Sequence, residues 1–264
     1  MENILIIGAN SGIGKETALL AVDLGYKIYA TARSELTFSH PNITPFKLDV
    51  CDKKSINEVA AQIGKIEAII NFAGVAISSP VEFLDEKQLQ KQFDVNLFGL
   101  LGVIQSFYPK LIPSGRIINV SSMASFGIFP FISPYCASKA AGDILLNTLG
   151  VETGTKIISI KPGAVKTGFW DASLKINQEN FENFSQKYEK EREFLIANAK
   201  KNTNKGLEAK TVAKVIIKAL RAKNPKPSYS IGFDAHMAQF ASILPKSFVN
   251  MLVKMVLKSR IKNR

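Results

Sequence analysis

Apolar residues recur along this chain in two alternating rhythms. Ile4 to Ile7 is an unbroken aliphatic run ended by glycine, the pattern of a strand buried on both faces. Thr17, Ala18, Leu20, Ala21 and Leu24 then follow a helical period up to Gly25, which suits a helix stop. Strands are predicted at Lys27–Ala30, Phe46–Leu48 and Ala68–Asn71, with a helix near Ser55–Ile63 between the last two. The second half predicts a long helix over Leu89–Leu111, a strand at Arg116–Val120 and a helix over Ser133–Leu149. A strand at Lys156–Ile160, a helix near Thr211–Leu220 and a short strand at Tyr229–Ile231 complete it. Such alternation predicts one α/β domain over residues 1–264, a doubly wound, mostly parallel sheet with helices on both faces. Residues 169–206 depart from it. They are polar, charged and helical, and read as a lid over a substrate site.

Composition narrows the classes. With 46% hydrophobic and 21% charged residues in 264, the chain can bury a core and is not a disordered segment. Cys51 and Cys136 fit neither a disulfide framework nor a zinc site and read as free thiols in a reducing compartment. His40 and His236 stand alone, so no metal is expected. The net charge of +12 calls for an anionic partner, but the basic residues are scattered and not interleaved with aromatics. Specific nucleic-acid binding is therefore not expected; an anionic cofactor, substrate or membrane surface, or solubility alone, remain. Met1-Glu2-Asn3 runs straight into a strand and is no signal peptide, and no apolar run approaches the ~20 residues of a membrane span. A cytoplasmic location is the expectation.

Gly8-Ala9-Asn10-Ser11-Gly12-Ile13-Gly14 joins the first strand to the first helix. Glycines allow a tight turn and close backbone approach to a pyrophosphate, and a helix N-terminus offers amide donors to it. In this position the loop points to a Rossmann-like dinucleotide site. After the second strand, Arg33 stands where enzymes using NAD usually have a carboxylate. A guanidinium suits a 2′-phosphate, which favours NADP(H) over NAD(H), with Lys15 adding to the field. The alternative is that both are solvated surface charges.

Tyr135 and Lys139 lie at i and i+4, on one face of a helix. A free tyrosine, with a pKa near ~10, is a poor acid–base group at neutral pH, and a neighbouring ammonium is expected to lower it. This pair has company. Asn119-Val120-Ser121-Ser122 ends thirteen residues before Tyr135 and resembles the strand-end serine motif of the short-chain dehydrogenases/reductases. Asn71-Phe72-Ala73-Gly74 is similar to that family's Asn-Asn-Ala-Gly turn, Asp49 to its adenine-side aspartate, and Asn96 to its active-site asparagine. Pro162, Gly163, Val165 and Thr167 resemble its Pro-Gly turn and nicotinamide-binding threonine. The likeness covers residues 4–167 in the family's order. Ile7 in place of threonine and Phe72 in place of asparagine depart from the pattern, and altered packing is expected there rather than lost chemistry.

The resemblance implies that Tyr135 donates a proton to a carbonyl oxygen as hydride arrives and that Ser122 holds that oxygen. It further implies that Lys139 tunes Tyr135 and binds the nicotinamide ribose, while Asn96 holds a water in a proton path. Dimers or tetramers through residues 89–111 and 138–149 are also implied. The branch it is most similar to contains 17β-hydroxysteroid dehydrogenases and acyl-dihydroxyacetone-phosphate reductases. Phe126, Ile128, Phe129, Pro130, Phe131 and Ile132, with Phe169 and Trp170, suggest an apolar pocket for a steroid-, retinoid- or acyl-chain-like carbonyl or alcohol. The tail 245–264 is basic, carrying Lys246, Lys254, Lys258, Arg260, Lys262 and Arg264 with no acidic residue. It reads either as a peripheral membrane contact or as a helix packed on the protein. A non-catalytic NADP(H)-binding redox sensor on the same fold is the alternative function.

Overall fold

The structure is a computed structural model describing residues 2–10, 12–182, 184 and 186–262, without the side chains of Glu179, Gln186 and 260–262. Ser11 of the glycine loop, Arg264 and the side chains of Arg260 and Lys262 in the basic tail lie outside the described residues. In chain order the first half runs β1 (Asn3–Ile7), α1 (Gly12–Asp23), β2 (Lys27–Ala32), β3 (Ile43–Lys47), α2 (Lys53–Gln62) and β4 (Ile66–Asn71). It continues through α3 (Glu86–Phe93), α4 (Gly99–Phe107), β5 (Leu111–Val120), α5 (Ser133–Thr153) and β6 (Lys156–Pro162). Then come β7 (Val165–Lys166), α6 (Phe169–Ile176), α7 (Gln178–Glu182), α8 (Glu189–Lys205) and β8 (Leu207–Glu208). The chain closes with α9 (Ala209–Arg221), β9 (Ser228–Ile231), α10 (Phe233–Ser242) and α11 (Lys246–Lys262).

Seven strands make one parallel sheet in the order β3-β2-β1-β4-β5-β6-β9, and β7 pairs with β8 apart from it. Alternate side chains of each strand enter different cores. Ile4, Ile6, Ile70, Ile118 and Ile158 pack against Ala18 and Ala21 of α1 and Val212 and Ile216 of α9. Leu5, Ile7, Ile69 and Ile117 pack against Ile56 and Val59 of α2, Val103 and Phe107 of α4 and Leu146 of α5. Burial on both faces is why these strands read as continuous aliphatic runs. The chain winds outward from β1 to β3 and returns at β4 on β1's other side. That reversal opens a crevice at the carboxyl ends of β1 and β4, where ligands bind in such sheets.

Three sequence expectations shift. The single helix over 89–111 is two helices, broken by a π-helical turn at Asp94–Phe98, and it starts earlier, where the Asp85 carboxylate caps α3 by accepting from Lys87 N at 2.9 Å. Leu111 already belongs to β5. The third strand starts at Ile43, with Pro45 inside it; β3 is the sheet edge, where a missing donor is tolerated. The two departures, Ile7 and Phe72, are both packing residues, Ile7 fully buried and Phe72 lying against the first core.

Candidate active site

The glycine loop turns because Gly8 has φ of 82°, a left-handed conformation that L side chains avoid. Gly8 N and Ala9 N both donate to Thr31 O, at 3.0 and 2.8 Å, locking the loop to the end of β2. A Cβ on Gly8 would press on Ala73 N and Phe72 C, at 3.2 and 3.3 Å. One on Gly12 would come within 2.8 Å of Thr167 Cγ2. The open backbone is thus a cradle that added side chains would fill, which fits a dinucleotide. Asn10 works as a strut: its Nδ2 donates to Glu35 O at 2.7 Å and its Oδ1 accepts from Thr37 N at 3.0 Å. Ile13 and Gly14 open α1, where Ile13 O accepts from Thr17 Oγ1 at 2.8 Å. Arg33 is exposed just past β2, and Lys15 lies over the Phe38 ring at 5.4 Å.

Across the crevice, Asn71 Nδ2 donates to Asn119 Oδ1 at 2.9 Å, and Asn71 Oδ1 accepts from Ala73 N at 3.3 Å. The first bond ties the end of β4 to that of β5, and the second closes the turn after β4. Asp49 is half-buried and accepts from Cys51 N at 2.9 Å. Pro162 is buried at the end of β6, and Gly163 is obligatory because a Cβ there would run into the Asp234 carboxylate, which also accepts from Ala164 N at 2.9 Å. Val165 is buried, its carbonyl taken by Trp170 Nε1 at 3.0 Å, and Thr167 Oγ1 accepts from Phe169 N at 3.3 Å.

Tyr135, Lys139, Ser122 and Asn96 meet at this end of the sheet. Ser122 follows β5 and begins the turn Met123–Phe126, accepting from Ala124 N at 3.1 Å. Tyr135 and Lys139 sit on the first turns of α5, and both are buried. Burial pushes Tyr135 up to about 12, against an opposing hydrogen bond with Ser122 and with a small push from Cys136. Burial also brings Lys139 down to about 8, while Asp143 holds it up. Lys139 Nζ donates to Val120 O at 3.0 Å and lies 5.8 Å from the Tyr135 ring centre. The ammonium is aimed at the strand end, not at the phenol, and the lowering of Tyr135 expected from Lys139 is not found; desolvation dominates, opposed by Ser122. Gly74 touches both remaining partners: its Cβ would lie 3.2 Å from Lys139 Nζ and 3.4 Å from Asn96 Oδ1.

The π-helical turn is what delivers Asn96. Its Oδ1 accepts from Val75 N at 2.9 Å, and its Nδ2 donates to Val75 O and Ser138 Oγ, each at 3.0 Å. A π turn at a site is a common device for re-aiming one side chain. Sequence reasoning missed its supporters. Gln92 holds Ile77 N at 2.7 Å and Val75 O at 2.8 Å, and Asn177 of the 169–206 segment holds Ser78 N at 2.7 Å and Ala76 O at 2.8 Å. Asp143, two turns along α5 from Tyr135, is also buried and accepts from Ser121 and Ser159 hydroxyls at 3.0 Å each. An amide or carboxylate inside a helical apolar period is the one signal that marks them in sequence.

The aromatic wall is partly as expected. Phe169 lies 6.0 Å from the Tyr135 ring centre, and Tyr188 sits edge-on to Phe83 and Phe131 at 6.0 and 5.8 Å. Phe131 holds φ of 67°, strained for a bulky residue. A separate cavity of about 440 Å³ lies among Leu174, Phe181, Arg192 and Ile196, away from Tyr135. Both cysteines are free thiols, and burial pushes Cys136 up to about 11, which keeps it protonated and inert. Among the described residues no His, Cys, Asp and Glu group could hold a metal. No helix among them is long and apolar enough to cross a membrane.

A glycine-lined crevice, a buried Tyr–Lys pair and a strand-end serine stand together at the carboxyl end of the sheet. A family model described as short chain dehydrogenase matches residues 2–178, and the chain belongs to that family. It is 32% identical over 252 residues to a 3-amino-tetrahydro-pyrrolizinone reductase of Xenorhabdus hominickii, covering 89% of this chain and 88% of that protein. It is 35% identical over 177 residues to the NADPH-dependent 1-acyldihydroxyacetone phosphate reductase of Schizosaccharomyces pombe, covering 62% and 60%. A Burkholderia cenocepacia short chain dehydrogenase solved in complex with NADP superposes with a TM-score of 0.75 at 19% identity, over 96% of this chain and 99% of that one. At that identity the likeness shows the fold.

Proposed function

We propose that this enzyme reduces the carbonyl group of a hydrophobic small molecule with NADPH, and oxidises the corresponding alcohol in reverse. The observation that carries this is a buried Tyr135, kept protonated by its surroundings, with the Ser122 hydroxyl in hydrogen-bonding reach. A protonated phenol is the acid a carbonyl reduction needs. When bound, NADPH supplies the hydride. Ser122 donates a hydrogen bond to the substrate oxygen and stabilises the charge that develops there. Tyr135 passes its proton to the same oxygen, and Lys139 and Asn96 restore it from solvent.

Gly8, Asn10, Ser11, Gly12, Ile13 and Gly14 would hold the pyrophosphate, Asp49, Asn71, Ala73 and Gly74 the adenosine side, and Pro162, Gly163, Val165 and Thr167 the nicotinamide end. Arg33 would pair with a 2′-phosphate, which favours NADP(H) over NAD(H). The NADPH dependence named for the fission-yeast relative supports that choice, and its acyl substrate supports an apolar pocket under residues 169–206 acting as a lid. Phe98 at the end of the π turn, Leu101 of α4 and Ile144 and Leu145 of α5 are exposed and suit a homodimer or tetramer. The tail 245–264 suits a peripheral membrane contact.

The test is NADPH oxidation, followed by absorbance, against ketosteroids, retinal, medium-chain aldehydes and acyl-dihydroxyacetone phosphate. Wild-type turnover that drops by about 10²–10⁴-fold in Tyr135→Phe, with NADPH binding kept, supports the reading. Tight NADPH binding with no turnover across the panel would favour the redox sensor, and no dinucleotide binding would sink both.

A further inference from the structure

We propose that α10 and α11 form a single docking face that seats this enzyme on an anionic phospholipid bilayer, beside the loops that frame the substrate site. The position beside the site takes its meaning from the hydrophobic-substrate reading above; the docking itself rests on the surface alone.

The surface inverts what a globular helix does. On α10 and its C-terminal cap, Phe233, Met237, Phe240 and Ile243 are 81, 49, 57 and 77% exposed. Their spacing of four, three and three residues keeps them on one side. On α11, Phe248, Met251, Leu252, Met255 and Val256 recur at helical spacing, and all are exposed. Val249, Val253 and Leu257 flank them and are only half-buried, although α11 packs on α8. Nine large apolar side chains therefore face outward from two consecutive helices. A patch of that size is ordinarily covered.

Charge decides what covers it. Lys254 and Lys258 border the apolar arc of α11 and are exposed, Lys246 is exposed at its first residue, and no Asp or Glu occurs from Ala235 to Ser259. A second copy related by a two-fold axis would bring these lysines against their own counterparts with no carboxylate to separate them. A second exposed apolar patch, on the π turn, α4 and α5, has no lysine between Phe98 and Leu101 or between Ile144 and Val151, and is the better site for a copy of this chain. A bilayer fits both features at once. Acyl chains take the aromatic and aliphatic side chains, and lipid phosphates take the lysines. The face also adjoins the site: α10 packs on the Met123–Phe126 turn that follows Ser122, and Asp234 in its first turn holds Ala164 N.

The experiment is co-sedimentation of the full chain with vesicles of phosphatidylcholine alone and of phosphatidylcholine with phosphatidylglycerol. Wild type is expected to partition at least tenfold more strongly onto the anionic vesicles, and to be released by raised salt. Met251→Glu with Met255→Glu should abolish binding, and Lys254→Glu with Lys258→Glu should weaken it about tenfold. Thermal melts followed by circular dichroism should be unchanged, because all four side chains are exposed. No binding to anionic vesicles, or binding that the methionine pair leaves intact, overturns the proposal. So does a wild-type dimer in sedimentation velocity that the methionine pair breaks without any vesicle binding. Vesicle binding needs no turnover, so an inactive protein that binds leaves this proposal standing, and an active reductase that does not bind overturns it alone.

Discussion

Asp143 Oδ2 and Lys161 Nζ form an ion pair at 2.8 Å, with side chains only 8 and 12% exposed, one helical turn beyond Lys139 on α5. The Ser121 and Ser159 hydroxyls donate to the same carboxylate, so α5 is tied to the ends of β5 and β6. Lys161 also lies 4.2 Å above the Phe126 ring. Removing one partner of a buried pair strands the other, at a cost of about 3 kcal/mol. Asp143→Asn should lower the melting temperature accordingly. It should also move the alkaline limb of the activity profile to lower pH, because Asp143 is what holds Lys139 up. An unchanged melt would mean that the pair is not made in solution.

The pH dependence of reduction follows from the same two groups. Tyr135, pushed up to about 12 by burial, stays protonated through the neutral range. Lys139, brought down to about 8 by burial, is charged below that value and neutral above it. If the ammonium is needed, kcat/KM for reduction is flat up to about 8 and then falls about tenfold per pH unit. In Lys139→Arg, whose charge persists, the residual activity should lose that fall. A wild-type profile still level two units higher would remove the Lys139 charge from the mechanism.

Cofactor choice tests Arg33. A charge-assisted hydrogen bond to a phosphate is worth about 1.5–3 kcal/mol, or roughly 10–150-fold in affinity. Arg33→Ala should raise the Kd for NADPH by that factor and leave NADH nearly untouched. Equal losses for both would assign Arg33 to general attraction.

Gly8 and Gly25 share a left-handed backbone, at φ of 82° and 88°, but differ in surroundings. Nothing stands within 4 Å of a Cβ at Gly25, whereas one at Gly8 meets the backbone of Phe72 and Ala73. Gly25→Ala should cost about 1–2 kcal/mol, the left-handed penalty alone. Gly8→Ala should cost more and also weaken NADPH binding, as read by melts and by titration. Equal melts for the two would show that the Gly8 contact yields freely.

Glu67, the second residue of β4, lies beside Glu2, and desolvation with the Glu2 hydrogen bond raises it to about 7. A carboxyl raised in the folded state stabilises it at low pH, and that contribution is lost as pH climbs from the ordinary carboxylate range through about 7. Glu67→Gln should therefore stabilise the chain above neutrality, by about 1 kcal/mol after allowance for solvent screening, and change little in acid. A wild-type melting temperature independent of pH across that interval would contradict the assignment.

The sequence by itself determined what is local. Continuous aliphatic runs and period-3.6 runs set the strands and helices of the two-faced sheet, since strands covered on both sides and helices covered on one demand apolar residues in those patterns. Gly8, Gly12 and Gly14 stood out because glycine leaves the strand-to-helix turn open, and Tyr135 with Lys139 because i and i+4 share a helix face. The apolar period did not show the π turn that carries Asn96, whose side chain meets the backbone of Val75, twenty-one residues away. Gln92, Asn177 and Asp143 looked like ordinary polar residues until folding set them against Ile77, Ser78 and Ser121. Tertiary structure alone decided that Lys139 aims at Val120 O and not at the phenol, and that α10 and α11 turn their apolar sides outward. A hydrophobic period says that a face seeks cover. Which surface supplies that cover is set by elements far apart in the chain.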